Sequence, residues 1–242
     1  MKKNTGLSII IPARNEEQVI LNTLKQIERR LKFPYQIIVV NDCSSDNTEA
    51  VVKSYAKNKE NIKIVKTKPT RKGFSNALKK GFEAADKLFV IPVMADLCDE
   101  PSTINRMYEK INMGYDIVCG SRYMRGGKKI GGPKLQGLLS KFVCLSLHFL
   151  TGIPTKDVSN AFKMYRKTTI LDKIIFRHNS GVEASMEITF QAYFDGARVM
   201  EIPTTWKGRT RGLSKFKMFE RLPRYLRIYS WAIENSIRKR LG

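Results

Sequence analysis

Short β-branched runs alternate with amphipathic stretches through the first half of the chain, and this rhythm constrains the fold more than any other feature. Residues 7–11 (LSIII), 35–40 (YQIIVV), 62–67 (IKIVKT), 88–93 (LFVIPV) and 115–120 (YDIVCG) read as strands. Between them, residues 15–32 read as a helix with Ile20, Leu24, Ile27 and Leu31 on one stripe. A second helix follows the polar run NDCSSDNT, with Val51, Val52 and Tyr55 inward, and others are expected over 74–85 and 102–113. Apolar strands, each followed by a helix, specify an α/β chain with a mainly parallel sheet covered on both faces.

After Gly120 the pattern changes. A basic, glycine-rich loop (124–134) leads into an apolar helix over 135–150, then a mixed segment over 157–166, a helix near 182–194, a late strand over 198–203 and a final helical piece over 216–241. The reading is one domain over 1–216 and a basic amphipathic C-terminal helix over 217–242. In that helix Leu222, Leu226, Tyr229, Ile233 and Ile237 form one apolar face, either docked on the domain or lying in a membrane headgroup plane. The longest apolar run, FVCLSLHFL, is far short of the roughly 20 residues that span a bilayer. No convincing signal peptide is present, because Pro12, Arg14, Asn15 and Glu16 interrupt the first apolar run.

The net charge of +22 implies an acidic partner, and residues 204–242 concentrate it, with 11 basic side chains against Glu220 and Glu234. A nucleic-acid-binding protein is the remote alternative and no nucleic acid is expected as a partner, since no helix-turn-helix, zinc-finger or aromatic RNA-binding signature accompanies the charge. The four cysteines show no paired spacing and read as reduced thiols, hence a cytoplasmic setting. His148 and His178 offer no metal or triad spacing, and His148 reads as a packed helix residue.

In open α/β sheets, ligands sit at the carboxyl ends of the strands. The polar residues expected there are Pro12 to Glu16 after the first strand, Asn41 and Asp42 after the second, and Asp96 and Asp99 after the LFVIPV strand. Asp46 reads as a helix N-cap rather than a site residue. A dinucleotide G-x-G-x-x-G and a Walker lysine loop are both absent, which argues against a dehydrogenase and an NTPase.

The ordered motifs SIIIPARNEE, VVNDCSSDNT, MADLCDEP, GSRYMRGG, DVSNAFKMYRK and EIPTTWKGRTRGLSKF resemble the inverting family-2 glycosyltransferases of the GT-A fold, in particular the dolichyl- and polyprenyl-phosphate sugar synthases. The resemblance implies that Pro12, Arg14, Glu16, Asp42 and Asp96 bind a nucleotide sugar. It implies Mg2+ or Mn2+ at Asp96, with Asp99 as a second ligand. Arg122, Lys134 and Arg209 would hold an acceptor phosphate, and Asp96, Arg122, Arg209 and Lys215 would carry the transfer. Two departures stand out: Met94 replaces the first aspartate of a D-x-D motif, and Cys98 stands where a glutamine is common. Neither suits a hard cation, and Met94 leaves open a catalytically dead relative. A phosphate acceptor needs no general base, whereas a soluble or protein-bound hydroxyl acceptor would need a carboxylate, for which Asp157 is the candidate. The expected partners are a nucleotide-sugar donor, a lipid-linked phosphate and an anionic membrane surface at the cytoplasmic face; a separate membrane subunit stays open.

Overall fold

The strand–helix rhythm folds into one twisted sheet. The computed structural model describes residues 5–175, 181, 183–208 and 218–241. In chain order the strands are β1 (Leu7–Ala13), β2 (Tyr35–Asn41), β3 (Ile62–Lys66), β4 (Phe89–Pro92), β5 (Ile117–Ser121), β6 (Lys128–Ile130), β7 (Lys163–Arg166), β8 (Val199–Pro203) and β9 (Thr205–Lys207). The helices are α1 (Ile20–Glu28), α2 (Thr48–Ala56), α3 (Phe74–Ala84), α4 (Thr103–Asn112), α5 (Lys134–Thr151), α6 (Ala184–Phe194) and α7 (Met218–Leu241). The main sheet has the order β3-β2-β1-β4-β7-β5-β8, and β6 pairs with β9 in a separate ribbon. Every pairing in the main sheet is parallel except those of β7, which runs antiparallel to both β4 and β5. The amino end of β7 therefore lies at the same sheet edge as the carboxyl ends of its neighbours. That reversal brings residues 157–161 to the edge where ligands bind such sheets.

Burial follows the expected two-faced covering. Ile9, Ile11, Ile37 and Val39 face α1, α2 and α4 through Leu24, Val52 and Met107. Ile10, Ile38, Val40 and Val90 face α3 and α6 through Leu78, Phe82 and Ile188. A third cluster joins α5, α6 and α7 through Cys144, Leu147, Met186, Phe190, Ile228 and Ala232.

Several local expectations change. The helix expected over 15–32 is shorter, because residues 15–19 form a turn interlocked with the loop after β2. Asn15 and Glu16 donate their backbone N–H groups to Ser44 Oγ and Thr48 Oγ1, at 3.1 and 2.8 Å. Asn15 Oδ1 accepts from the Ser45 N–H at 2.8 Å, and Asn15 has φ 53°. These side-chain bonds offer the backbone an alternative to the first helical turn. Asp46 is structural, as expected, but acts one residue before the cap: its carboxylate accepts from the Thr48 and Glu17 N–H groups. The glycine-rich loop contains β6, and the mixed segment contains β7. His148 is half-buried and its Nδ1 lies 2.7 Å from the Ile153 carbonyl.

α7 docks on α5 and α6 through Ile228, Ala232 and Ser236, a stripe adjacent to the one expected. Tyr229 and Ile233 are half-buried, while Leu222, Leu226 and Ile237 remain exposed. No helix among the described residues is long and apolar enough to cross a membrane.

Candidate active site

Three consecutive turns at the carboxyl edge carry unusual backbone. Asn15, Cys43 and Leu97 are the non-glycine residues with positive φ among those described, at 53°, 55° and 51°. They follow β1, β2 and β4, which are adjacent in the sheet. Left-handed conformations at branched or bulky residues cost free energy and cluster where a loop must hold a fixed shape for a ligand. Sequence reading found these loops by their carboxylates and did not foresee the backbone strain.

The first two turns form one end of the edge. Pro12 is half-buried within β1, Arg14 is exposed and Glu16 is half-buried. Asp42 is buried just past β2. Its N–H donates to the Ala13 carbonyl at 2.8 Å, its Oδ1 accepts from Thr67 Oγ1 at 2.7 Å, and both carboxylate oxygens accept from the Gly73 N–H, at 3.0 and 2.9 Å. Asp42 thus ties β2 to the loop that starts α3.

The turn after β4 carries the next carboxylates. Asp96 is half-buried, and its Oδ1 accepts from the Cys98 N–H at 3.3 Å. Asp99 is buried and accepts from Asn160 Nδ2 at 3.2 Å, while the same amide nitrogen donates to the Gly120 carbonyl at 3.0 Å. Burial pushes the Asp99 carboxyl up to about 7, against the lowering influence of the Asn160 hydrogen bond and the Arg122 charge. Strand β9 runs beside this turn: the Lys207 N–H donates to the Cys98 carbonyl and Trp206 bridges Asp99.

The sharpest feature lies past β5. Asp157, 0% exposed, is clasped by Arg122. The Arg122 N–H, Nε and Nη2 donate to its carboxylate at 2.9, 2.7 and 2.8 Å, and Nη2 also donates to Ser159 Oγ at 3.1 Å. Burial alone would pull the guanidinium pKa down; the charge and hydrogen bonds of Asp157 raise it instead, so Arg122 is a permanent cation. Among the described residues its Nη1 donates to no protein group, which leaves the Nη1 hydrogens for a ligand, since both Nη2 hydrogens are committed to Asp157 and Ser159. Gly127 underlies this arrangement: a Cβ there would collide with the Ser121 carbonyl oxygen and sit 2.8 Å from the Arg122 carbonyl carbon. Asp157, the candidate base for a hydroxyl acceptor, has its oxygens committed to Arg122 and lies away from solvent, which removes it from that role.

The family model described as Glycosyl transferase family 2 matches residues 8–172, which contain all of these turns. The chain belongs to glycosyltransferase family 2. Its relatives include the dolichol-phosphate mannosyltransferase of Pyrococcus furiosus, 32% identical over 234 residues, covering 93% of this chain and 64% of that protein. The polyprenol monophosphomannose synthase of Mycolicibacterium smegmatis is 25% identical over 239 residues, covering 97% and 89%. Among solved structures, glucosyl-3-phosphoglycerate synthase from Mycobacterium tuberculosis with Mn2+, uridine diphosphate and phosphoglyceric acid superposes with a TM-score of 0.70 at 14% identity, covering 96% of this chain and 78% of that one. S. aureus TarS 1-349 with UDP-GlcNAc gives 0.68 at 21%, covering 94% and 66%. The fold of this family-2 chain is GT-A, as its sequence motifs imply.

Within the family-2 frame, Asp96, Asp99, Arg122 and Asp157 come together, close enough for their charges to influence one another. Lys134 is exposed at the first turn of α5, and Arg209 and Lys215 lie outside the described residues. The sequence reading missed Asn160, Ser159 and Lys129. Lys129 faces the same region: burial and the Arg122 charge both lower its pKa, and its ammonium sits 5.0 Å from the centre of the Trp206 ring. Asn160 and Ser159 lie in the DVSNAFK motif, and only the reversal of β7 reveals which edge they reach. Among the described residues, no three His, Cys, Asp or Glu side chains converge to hold a metal ion by themselves.

Proposed function

We propose that this chain transfers a sugar from a nucleotide-diphosphate sugar, of the GDP-mannose or UDP-glucose type, to a polyprenyl phosphate with inversion. The observation that carries the reading is the buried Arg122–Asp157 pair. It presents the Nη1 of a fixed arginine to an anion and ties up Asp157, the candidate base for a hydroxyl acceptor, in an ion pair. The names of the Pyrococcus and Mycolicibacterium relatives agree with a lipid-phosphate acceptor.

In the reaction, an oxygen of the acceptor phosphate attacks the anomeric carbon from the face opposite the diphosphate. The bond from that carbon to the diphosphate breaks, and the nucleoside diphosphate leaves. The acceptor phosphate is already ionised at neutral pH, so no proton has to be removed. Arg122 holds it through Nη1, the guanidinium being oriented from behind by Asp157 and Ser159. Pro12, Arg14, Glu16 and Asp42 line the donor end, where Asp42 fixes the base or ribose. Arg209, Lys215 and Lys134 add positive charge around the leaving diphosphate and the acceptor.

The donor set at Asp96 suits a divalent cation shared with a substrate. Asp96 is a half-buried carboxylate in a constrained turn, with Asp99 buried behind it and Met94 offering no side-chain oxygen. Hard cations such as Mg2+ are commonly held by one or two carboxylates together with substrate phosphates rather than by a protein cage. When bound, Mg2+ or Mn2+ would neutralise charge on the diphosphate. Acting on a lipid-linked acceptor places the chain at an anionic membrane face, which the +22 charge favours.

The test is incubation with a panel of nucleotide sugars and a water-soluble, short-chain prenyl phosphate, followed by NMR of the product. A prenyl-phosphate sugar with inverted anomeric configuration is expected. Transfer only to hydroxyl acceptors, or a retained configuration, overturns the reading.

A further inference from the structure

The Arg122–Asp157 pair directs hydrogen bonds at an anion, yet its two charges cancel. A phosphate monoester carries about 1.5 to 2 negative charges at pH 7. A site built from this pair alone would orient such a ligand and leave its charge uncompensated.

Lys129 is a cation of a different kind. It lies on β6, two residues past Gly127, which packs against the backbone of Ser121 and Arg122. Its half-buried side chain crosses the first turn of α5, where Gly137 leaves room for it: a Cβ there would lie 2.8 Å from the ammonium. The ammonium donates to the Gly131 carbonyl at 3.1 Å and sits 5.0 Å from the centre of the Trp206 ring. Among the described residues it pairs with no carboxylate, and the first turn of α5 carries none. Trp206 is joined in turn to Asp99 by an antiparallel bridge. Lys129 therefore stands on the ribbon that runs between the Arg122 loop and the turn of Asp96 and Asp99. Burial and the Arg122 charge both disfavour a cation at this position. A lysine that bears this cost with no carboxylate to relieve it is set for an anion that arrives with the substrate.

We infer that Lys129 is a ligand of the acceptor phosphate: Arg122 orients the anion, and the Lys129 ammonium supplies the uncompensated positive charge. The Trp206 face steadies the ammonium without neutralising it. The Gly131 carbonyl takes one of its three hydrogens, which leaves two for phosphate oxygens. Lys128, on the other face of β6, is exposed and lacks this mount. The inference deepens the proposed transfer to a prenyl phosphate and rests on it for the identity of the anion.

The experiment compares the full chain with Lys129→Met, Lys129→Arg and Lys128→Met. Methionine keeps an unbranched stem to pack beside Gly137 and Trp206 and removes the ammonium. The readouts are KM and kcat for a short-chain prenyl phosphate, calorimetric binding of that prenyl phosphate and of a nucleoside diphosphate, and the thermal midpoint. Lys129→Met should raise the acceptor KM and weaken prenyl-phosphate binding by about tenfold or more, with kcat at saturation within about twofold. Lys129→Arg should restore most of the loss, Lys128→Met should match the wild type, and nucleoside diphosphate affinity should be the same throughout. Unchanged acceptor KM and prenyl-phosphate binding in Lys129→Met overturn the inference. So does a lowered midpoint that arginine does not rescue, the mark of a lysine that only braces the ribbon. A larger loss for the nucleoside diphosphate than for the prenyl phosphate also overturns it, because the ammonium would then serve the leaving group. If the wild type binds prenyl phosphate through Lys129 but transfers nothing to it, the proposed function falls and this assignment stands. A wild type that binds no prenyl phosphate ends both.

Discussion

Replacing Asp157 by Asn tests the electrostatics of the site directly. Asp157 has a side-chain exposure of 0% and Arg122 of 11%, and the carboxylate accepts from the Arg122 N–H, Nε and Nη2. The substitution keeps the size of the side chain but removes the charge that compensates the buried guanidinium. It also turns an amide nitrogen, itself a donor, toward a cluster of donors. Breaking a buried pair from one side costs about 3–5 kcal/mol, because the remaining charge stays desolvated. For a chain of this length, 1 kcal/mol shifts the midpoint by about 2–4 °C, so the expected fall is roughly 6–20 °C. Thermal unfolding at neutral pH, checked by urea titration, measures it. The double variant Arg122→Met/Asp157→Leu should recover most of the loss, since an apolar pair of similar volume replaces the ions, and should remain inactive because the acceptor arginine is gone. A loss below about 0.5 kcal/mol in Asp157→Asn would mean that water reaches the guanidinium, and the reasoning about a desolvated, pre-oriented arginine would fall.

Asp42→Ala should weaken nucleotide binding by about 1–3 kcal/mol, the scale of losing a buried hydrogen-bond partner, and calorimetry with unchanged affinity would remove Asp42 from the donor site. Activity should vanish in chelator and return with Mg2+ or Mn2+, and Asp96→Asn should abolish transfer; full activity in chelator would show that basic side chains alone stabilise the leaving diphosphate. The Asp99 carboxyl, raised from 3.8 to about 7, binds its proton more tightly in the folded chain than in the unfolded one, so its contribution to stability is present at low pH and is lost as pH rises to about 7. Melting curves of the metal-free, nucleotide-free protein should show that loss, and Asp99→Asn should lack it; parallel pH profiles for the two proteins would contradict the assignment.

Most of the sheet was legible because buried parallel strands are written as continuous apolar runs, and each of the five early runs became a strand within about two residues of its expected ends. The elements that escaped are short and lack such a run. Lys128–Ile130 and Thr205–Lys207 hold together through their mutual pairing and the close approach of Gly132 and Gly208. Lys163–Arg166 is half basic by sequence, yet Lys163 is fully buried, its ammonium bonded to the Val158 carbonyl and to both the carbonyl and hydroxyl of Ser185. Composition could not announce a lysine satisfied in that way. The overlong first helix failed for the opposite reason: its apolar stripe is real, but side chains distant in sequence claim its first backbone donors.

The site was legible in its carboxylates and not in its pairings. Asp42, Asp96 and Arg122 follow strands whose direction is readable, so their edge could be inferred. Asp157 precedes a strand, and reading it required knowing that β7 runs against its neighbours. That single reversal changes the chemistry. With β7 parallel, residues 157–160 would sit at the far edge, Arg122 would be a solvated cation and Asp157 a turn aspartate. With β7 reversed, the carboxylate stands behind the arginine, neutralises the cost of burying it and fixes the plane of the guanidinium. An arginine held this way recognises an anion through directed hydrogen bonds more than through net charge. A lysine at position 122 would keep the charge and lose both the grip on Asp157 and the Nη1 donors held by it, which is why the fold, and not the local motif, decides what that position can do.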